Sequence, residues 1–426
     1  MATPSPRSAF PPPPGARLET PAHSVISPSG ARLAFAATDS AGHDWLWVRS
    51  LATGRARRLA GTEGARFPFW SPDDRAIGYF AHGKLRAIAP DGSGARVIAG
   101  APEGYGGAWS RGGTIVFAPD EAGPIWRVRT RGGRATRLTR IETELDSSDH
   151  RESVEEERAE PAHRAPCFLP DGKHFLYQEY PDEEGLYRVL LGSIDGGEPR
   201  PVLLASSSAL YAPPGYLIYS RMQVLVAQKW DPAHMEVTGA PVPLSEVAAD
   251  PGVDGAPRVS ISASGALAYS NQASVAGLEW VDPAGKSLGR VPLEPGPYEG
   301  VALSPDGRRA VLVRFVSPGD TDLWLVDLGK GIGARFTHEK GMERAPRWLP
   351  DGSRVVFRSN RDGRWRSYSK AADNSESEQV LASGDVAGRT GASQVTTGGR
   401  TLRLVALPQR GAGHTVIRDW TTLLPR

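Results

Sequence analysis

Nine turns of one kind recur along the chain, each placed between two short apolar segments. Three copies contain the full Pro-Asp-Gly sequence, at residues 170–172, 305–307 and 350–352. Six weaker copies end at Gly30, Asp74, Gly113, Gly215, Gly265 and Gly399. Proline presets φ for such a turn, and glycine, or more rarely aspartate, accepts the left-handed conformation at its end. Successive copies lie about 45 residues apart, which is typical of the blades of a β-propeller.

The segments around each turn predict four short strands per repeat. An apolar strand follows the turn, as in residues 32–35, 114–117 and 354–357. About ten residues later comes an aromatic-rich strand, as in residues 44–48 and 322–326, and a fourth strand closes the unit. Runs that are β-branched or aromatic and bounded by turn residues indicate strands. We interpret the aromatic residues of the third strand as packing between blades.

The sequence leaves open whether the repeats form one ring or two. A propeller usually has four to eight blades, whereas the turns number nine. We predict an all-β fold: one β-propeller of about eight four-stranded blades over residues 17–426, closed with the help of the weak ninth repeat or the N-terminal strand. The alternative is a six-bladed ring over about residues 17–293, split near 294 from an incomplete second propeller that begins near Gly296.

Composition narrows the possible function classes. The 426 residues have a formal net charge of +2, so no global field attracts nucleic acid. Cys167 is the single cysteine and cannot form an intrachain disulfide. No apolar run is long enough for a membrane span, and no signal-peptide core precedes the repeats. We therefore expect a cytoplasmic monomer with a Pro-rich disordered leader over residues 1–16.

One repeat carries an acidic insertion. Residues 141–163 separate the third and fourth repeats by a longer step, and nine of them are aspartate or glutamate. Such runs are usually solvated loops. The insertion lacks the alternating ligands and central glycine of a calcium loop, so we expect it to bind no metal.

The repeated sequences resemble a known family. Segments 70–74, 303–307 and 348–352, each followed by an apolar strand, look like the TolB-type, WD-repeat-like propeller over residues 17–426. Segments 59–64, 211–216 and 335–337 are similar to the propeller modules that follow bacterial serine/threonine kinase domains. This resemblance implies a sensory or protein-binding module. It also implies an extracytoplasmic, periplasmic location as the alternative to the cytoplasm.

No catalytic motif accompanies the repeats. The Gly-rich loop and the His-Arg-Asp and Asp-Phe-Gly sequences of a kinase are missing from the sequence. The Gly-x-Ser-x-Gly elbow of a hydrolase is missing too, and no two histidines have zinc-ligand spacing. We expect a non-enzymatic, cofactor-free scaffold that binds an unknown protein or peptide. The alternatives are a detached accessory domain of a kinase-type receptor and, less favoured, a propeller-based hydrolase or lyase.

The candidate binding residues precede the turns. Propellers bind ligands at the mouth of the central channel, close to the starts of the innermost strands. We expect a ring of side chains there, because Arg and Tyr are favoured in protein recognition. The candidates are Arg66, Tyr105, Arg164, Glu299, Glu343 and Arg344. The competing interpretation is that they are solvated, or that Arg344 pairs with Glu299.

Overall fold

A computed structural model of the chain is almost entirely β-strand, with one short 3-10 helix. It describes residues 7–18, 24–141, 162–179, 186–221, 224–248, 259–270, 275–283, 286–317, 320–381, 394–397, 399–407 and 413–424. Within these residues no helix is long and apolar enough to cross a membrane. The antiparallel sheets are four-stranded, apart from one of five, and confirm the predicted multi-bladed β-propeller class.

The chain divides into two compact units. Unit 1 comprises residues 1–182, 186–271 and 413–426, and unit 2 comprises residues 183–185 and 272–412. Six sheets belong to the described part of unit 1 and three to that of unit 2. The units are described separately below.

The first strand of unit 1, β1 (Arg7–Phe10), belongs to the last of its sheets. Sheet 1 contains β2 (Ala16–Leu18), β3 (Ser24–Ile26), β4 (Arg32–Asp39), β5 (Asp44–Ser50) and β6 (Ala56–Arg58). Sheet 2 contains β7 (Arg66–Trp70), β8 (Ile77–Ala81), β9 (Lys84–Ile88) and β10 (Arg96–Gly100). Sheet 3 contains β11 (Gly107–Trp109), β12 (Thr114–Phe117), β13 (Trp126–Arg129) and β14 (Thr136–Arg137).

The second half of unit 1 repeats the same arrangement. Sheet 4 contains β15 (His163–Phe168), β16 (His174–Glu179), β17 (Tyr187–Ser193) and β18 (Arg200–Ala205). Sheet 5 contains β19 (Leu210–Ala212), β20 (Tyr216–Arg221), β21 (Val224–Asp231) and β22 (Glu236–Ala248). Sheet 6 begins with β23 (Val259–Ile261) and β24 (Leu267–Ser270).

Unit 2 follows β24 in the chain. Sheet 7 begins with β25 (Ala276–Val281) and β26 (Ser287–Arg290). Sheet 8 contains β27 (Tyr298–Leu303), β28 (Arg309–Ser317), β29 (Asp320–Asp327) and β30 (Ile332–Arg335). Sheet 9 contains β31 (Glu343–Trp348), β32 (Arg354–Ser359), β33 (Arg366–Ala371) and β34 (Gln379–Val380). Strands β35 (Gln394–Thr397) and β36 (Arg400–Ala406) complete sheet 7, and β37 (His414–Ile417) returns to unit 1 ahead of the 3-10 helix Trp420–Leu423.

The six sheets of unit 1 form a closed ring. Their innermost strands contact one another in the order β3, β7, β11, β15, β19 and β23, and β23 contacts β3. A separate apolar cluster fills each of the six interfaces between neighbouring sheets. At the interface of sheets 1 and 2, for example, Leu46 packs in one cluster with Ile77 and Tyr79, all fully buried. Burial of both faces explains why the central residues of each second strand, such as Ile115 and Val116 in β12, are apolar.

Both ends of the chain close the ring in sheet 6. Strand β37 pairs with β24 on one side and with β1 on the other, as Ile417 lies opposite both Leu267 and Arg7. This confirms the predicted closure by the N-terminal strand. It corrects the expectation of a disordered leader for residues 7–16, because the exposed edge of β37 offers β1 a backbone ladder. Residues 1–6 lie outside the described residues.

The strands of sheets 6 and 7 do not pair in the order of the sequence. The sixth turn joins β23 to β24, and β25 and β26 follow in the sequence, but β24 pairs with β37 instead. The ninth turn joins β35 to β36, and β36 pairs with β25. The segment from β25 to β36 is thereby gathered into unit 2, whose inner strand β27 contacts β31 and β35.

The blade count therefore differs from the prediction of one ring of about eight. A ring of six sheets and a separate group of three correspond more closely to the alternative. The boundary lies at residue 271 rather than near 294, and the chain returns to the first ring at residue 413. The acidic insertion is also shorter than predicted, since Ala162 and His163 are buried at the start of sheet 4. Residues 142–161 lie outside the described residues.

The recurring turn is stabilised by its first residue as well as by its last. The buried Ser71 hydroxyl lies 2.6 Å from the Asp73 carboxylate and accepts the Ala76 amide at 2.8 Å. In sheet 8, Ser304 makes the same contacts to Asp306 and to the Arg309 amide. The serine thus satisfies an amide at the start of the second strand, which burial would otherwise leave unpaired. As predicted, Asp74 takes a positive φ, of 61°.

Candidate binding site

The innermost strands of three sheets begin with the same irregular structure. Strands β7, β15 and β31 each have an arginine as their first or second residue. A residue of positive φ and then a proline follow this arginine. The positive-φ residues are Phe67 (48°), Ala165 (50°) and Ala345 (49°), and the strand register shifts at each of these positions. These are β-bulges, which re-aim neighbouring side chains.

A proline follows each of these residues of positive φ. It disfavours the right-handed helical region for the residue before it, where a bulge residue often lies. A non-glycine residue in the left-handed region costs about 1–3 kcal/mol, and such strain is concentrated at functional sites. The repeated sequence Arg-x-Pro-x-aromatic, at residues 66–70, 164–168 and 344–348, is therefore the signal that the turns alone do not provide.

In unit 1 the bulges gather four side chains from three successive sheets. The Arg164 guanidinium carbon lies 4.5 Å from the centre of the Tyr105 ring. The Phe67 ring centre lies 5.3 Å from that of Tyr105 at an angle of 41°. Arg66 lies next to Phe67 at the exposed start of β7. Three of the predicted residues, Arg66, Tyr105 and Arg164, are thus neighbours, and Phe67 joins them without having been predicted.

Arg164 is the anchored member of this group. Its Nε donates to the Glu121 carbonyl at 2.7 Å, and its Nη2 lies 3.6 Å from the Glu121 carboxylate. The residue is only 9% exposed. A guanidinium held flat on an aromatic ring contributes about 0.5–2 kcal/mol, with the larger values at desolvated sites. The Tyr105 ring is thereby fixed in position.

Arg66 is the accessible cation of the group. Its side chain is exposed and makes no hydrogen bond or ion pair to any residue in the described part of the chain. Burial is the main cause that raises the pKa of Tyr105; Glu121 adds to this effect, whereas the positive charges of Arg164 and Arg66 oppose it. The Tyr105 hydroxyl is therefore neutral at physiological pH and can donate a hydrogen bond. The group combines an exposed cation, two aromatic faces and a neutral donor.

The other three predicted residues belong to unit 2. Arg344 lies over the Trp365 ring at 5.3 Å, and Arg358 approaches the same ring at 5.8 Å. Glu299 is exposed on β27. The neighbour of Arg344, Glu343, is completely buried, so its carboxylate does not line an open mouth as expected. Successive strand residues point to opposite faces, which explains why only one of the two is accessible.

Glu343 instead joins two sheets of unit 2. Its carboxylate lies 2.9 Å from the Ser359 hydroxyl, 3.4 Å from the Thr337 hydroxyl of the neighbouring sheet and 3.4 Å from Arg361 Nη2. Burial raises the pKa of Glu343 to about 8, although Ser359 and Arg361 favour the ionised form. His163 takes the corresponding place in unit 1, with its Nδ1 2.8 Å from the Thr139 hydroxyl. This position is structural in both units.

One pair of side chains has the residue types of a nucleophile and a base. Ser24 Oγ lies 2.5 Å from His414 Nε2, and His414 is completely buried. Burial lowers the pKa of His414 to about 3, far from the value that suits a general base at neutral pH. Its Nδ1 has no hydrogen-bond partner among the described residues, so no acid orients the ring. Within those residues no three metal-ligating side chains come together.

Comparison with known proteins gives distant similarities to solved structures. No family model matches the chain. The β-propeller domain of Cps50 (Swd1) from Myceliophteria thermophila is 15% identical, with 85% of this chain and 99% of that domain covered and a TM-score of 0.37. A putative TolB from Agrobacterium tumefaciens is 13% identical, with coverage of 85% and 98% and a TM-score of 0.27. An oligogalacturonate lyase in complex with manganese is 14% identical, with coverage of 87% and 96% and a TM-score of 0.35. In all three comparisons the identity is below 25% and the TM-score is below 0.5.

Proposed function

We propose that this protein is a non-catalytic β-propeller module that binds a protein or peptide partner through unit 1. The binding surface is formed by Arg66, Phe67, Tyr105 and Arg164, at the starts of β7 and β15 and just before β11. The observation that carries the proposal is the stack of Arg164 on Tyr105, which fixes an aromatic face beside an exposed cation.

The chemistry of this surface matches that of protein recognition. Tyrosine, phenylalanine and arginine are enriched at protein interfaces, and tyrosine and arginine dominate the residues whose truncation costs the most affinity. Because Tyr105 contacts both Arg164 and Phe67, a partner would not have to order it on binding. The strained backbone at Phe67 and Ala165 further supports a functional role.

The partner should carry an acidic group next to an apolar side chain. Arg66 is the group's exposed cation, and a carboxylate beside it would make a charge-assisted hydrogen bond. The rings of Tyr105 and Phe67 would accept the apolar side chain. An acidic peptide segment has both features, whereas a neutral polar ligand uses neither.

Panning of a random-peptide display library on the whole protein tests this proposal. We expect enrichment of peptides with an acidic residue next to an apolar one. For the best peptide, measured by fluorescence anisotropy, Tyr105→Ala and Arg66→Glu should each weaken binding at least about tenfold, as for a residue that dominates an interface. Arg96→Glu is the matched control, since Arg96 is exposed on the far strand of the same sheet. Equal affinity of Tyr105→Ala and the unaltered protein would contradict the proposal.

A further inference from the structure

A second site lies at the other end of the unit 1 ring, in a cleft between sheets 1 and 2. Strand β7 runs from Arg66 to Trp70, and the turn that follows places Asp74 and Arg75 at the opposite end of sheet 2. The cleft there has a volume of about 460 Å³, within the range of small-molecule sites. Arginine dominates its charged lining, at positions 32, 55, 57 and 75.

Three of these arginines share one face of sheet 1. Arg32 lies opposite Ser50 in the ladder of β4 and β5, and Arg55 follows in the turn next to Ser50. Arg57 lies two residues beyond Arg55 and therefore points to the same face. Like charges placed together on a sheet face destabilise it. Their presence in one cleft calls for an anionic ligand, since packing alone would not favour them.

Only some of the cleft arginines have a hydrogen-bond or ion-pair partner among the described residues. Among the described residues, the side chains of Arg32 and Arg55 make no hydrogen bond or ion pair. Arg57 Nη2 donates to the Pro90 carbonyl at 2.9 Å, which directs its guanidinium across the cleft. Arg75 is highly exposed. Its Nε lies 4.0 Å from the carboxylate of Asp73, a residue that does not line the cleft.

The two carboxylates of the cleft already have donors. Asp74 accepts the Ser29 amide at 3.2 Å and also the Ser29 hydroxyl. Asp91 accepts the amide and hydroxyl of Ser93 at 2.9 and 2.6 Å. These hydrogen bonds direct the two carboxylates toward the turns. Of the four guanidinium groups, that of Arg75 faces Asp73, and that of Arg57 interacts with the charge of Asp91. The guanidinium groups of Arg32 and Arg55 make no hydrogen bond or ion pair among the described residues, and they supply two positive charges for an anionic ligand.

We propose that this cleft binds a small phosphate monoester as its dianion. The planar guanidinium fork matches the geometry of phosphate oxygens, and its charge is constant across the physiological pH range. Val48, Ala89 and Pro90 supply a short apolar wall for the organic part of the ester. The site is independent of the proposed peptide surface, because it shares no residue with it and lies at the other end of sheet 2.

Isothermal titration calorimetry with phenyl phosphate tests this proposal at constant ionic strength and pH 7.5. We expect saturable binding of one ligand per chain, and at least tenfold weaker binding of phenyl sulfate, which has the same shape and one charge less. The dianion of a phosphate monoester takes up one proton at about pH 6 and becomes a monoanion, so affinity should fall between pH 7 and pH 5. Equal affinity for the sulfate, or heats that do not saturate, would overturn the proposal.

Variants locate the binding. Arg32→Ala and Arg55→Ala should each weaken phenyl phosphate binding about tenfold or more, because each removes a charged hydrogen bond. Arg131→Ala, at an exposed turn of sheet 3, is the control and should bind as the unaltered protein does. Unchanged affinity in both cleft variants would overturn the assignment. A short phosphoserine peptide serves as a further probe: affinity no higher than that of phenyl phosphate supports a small ester, and tenfold higher affinity would assign the site to a phosphorylated protein instead.

Discussion

The guanidinium of Arg49 lies 5.4 Å from the centre of the Phe10 ring, and so joins the first sheet of the ring to the strand that closes the last one. The same guanidinium lies 5.6 Å from the Phe35 ring, and its Nη2 donates to the Pro11 carbonyl at 2.6 Å. Arg49 is only 3% exposed, so these contacts are made away from water. The Arg49 side chain therefore joins β1 to sheet 1, in addition to the backbone ladder between β1 and β37.

Replacement of Arg49 should weaken this closure. Loss of a buried cation–aromatic contact and of a charged hydrogen bond predicts a fall of about 2–4 kcal/mol in the unfolding free energy of unit 1 for Arg49→Ala. Urea unfolding monitored by tryptophan fluorescence gives the value, with Arg131→Ala as the exposed control. An unchanged urea midpoint for Arg49→Ala would show that β1 is held by its backbone ladder alone.

The division into units predicts that the ring can exist without its insertion. Ser270 and His414 lie opposite each other in neighbouring antiparallel strands, so a two-residue Asn-Gly turn can connect these two positions. A chain in which this turn replaces residues 271–413 should fold as a six-sheet ring and unfold cooperatively. Size-exclusion chromatography and circular dichroism test this. An aggregated or unfolded product would indicate that sheets 7 to 9 are required for closure.

Glu343 should make unit 2 sensitive to pH. Its pKa is raised from 4.5 to about 8 by burial, so the folded protein holds this proton more tightly than the unfolded chain does. The stabilisation is complete below about pH 4.5 and is lost as the pH rises to about 8, by at most about 1.4 kcal/mol per unit. Hydrogen exchange in β31 and β32, measured at pH values across this range after correction for the intrinsic rate, should report the loss.

The variant Glu343→Gln separates this effect from others. Glutamine keeps most of the hydrogen-bonding capacity and cannot ionise, so the pH dependence of protection in β31 and β32 should largely disappear. Glu376→Gln is the control, because Glu376 is exposed and pairs with Arg354 at the surface. Retention of the same pH dependence in Glu343→Gln would refute the assignment to this carboxyl.

The buried serine that begins the recurring turn should contribute to the stability of the folded protein. Ser71→Ala leaves the Ala76 amide without its side-chain acceptor and removes the hydroxyl donor of Asp73, which predicts a loss of about 1–3 kcal/mol. Ser93→Ala, in an exposed turn of the same sheet, should cost less than about 0.5 kcal/mol. Thermal unfolding of the two variants provides the comparison. Equal stability of the two variants would show that the Ser71 hydroxyl does not stabilise the turn.

The repeated turns predict the strands well because both signals are local. Strand β12 is found where predicted, over Thr114–Phe117, and β4 and β32 begin at the predicted residues. The partition into two units is decided by contacts between distant segments. Both β25 and β37 are apolar strands that fit beside β24, and nothing in their local sequence distinguishes the two pairings. Strand β37 pairs with β24 in a sheet in which it also pairs with β1, and β1 lies far from both in the sequence.

Of the candidate binding residues, the structure brings three together and adds one that the sequence did not indicate, whereas their binding role stays a prediction. Counting back from the turn identifies the starts of the inner strands, so Arg66, Tyr105 and Arg164 come out as neighbours. It assumes a regular strand, whereas a bulge at Phe67 and at Ala165 re-aims the residues beside it. Phe67 was missed for this reason. In unit 2 the same count includes both Glu343 and Arg344, although neighbouring strand residues cannot share a face.

The central claim is that a partner binds at the starts of the inner strands of unit 1. Hydrogen exchange measured by mass spectrometry, with and without a saturating selected peptide, tests it most directly. The account predicts slower exchange in β7, β11 and β15, centred on the segments that contain Phe67, Tyr105 and Arg164, with no change in β6 or β10. Protection confined to other sheets, with these three strands unaffected, would contradict it.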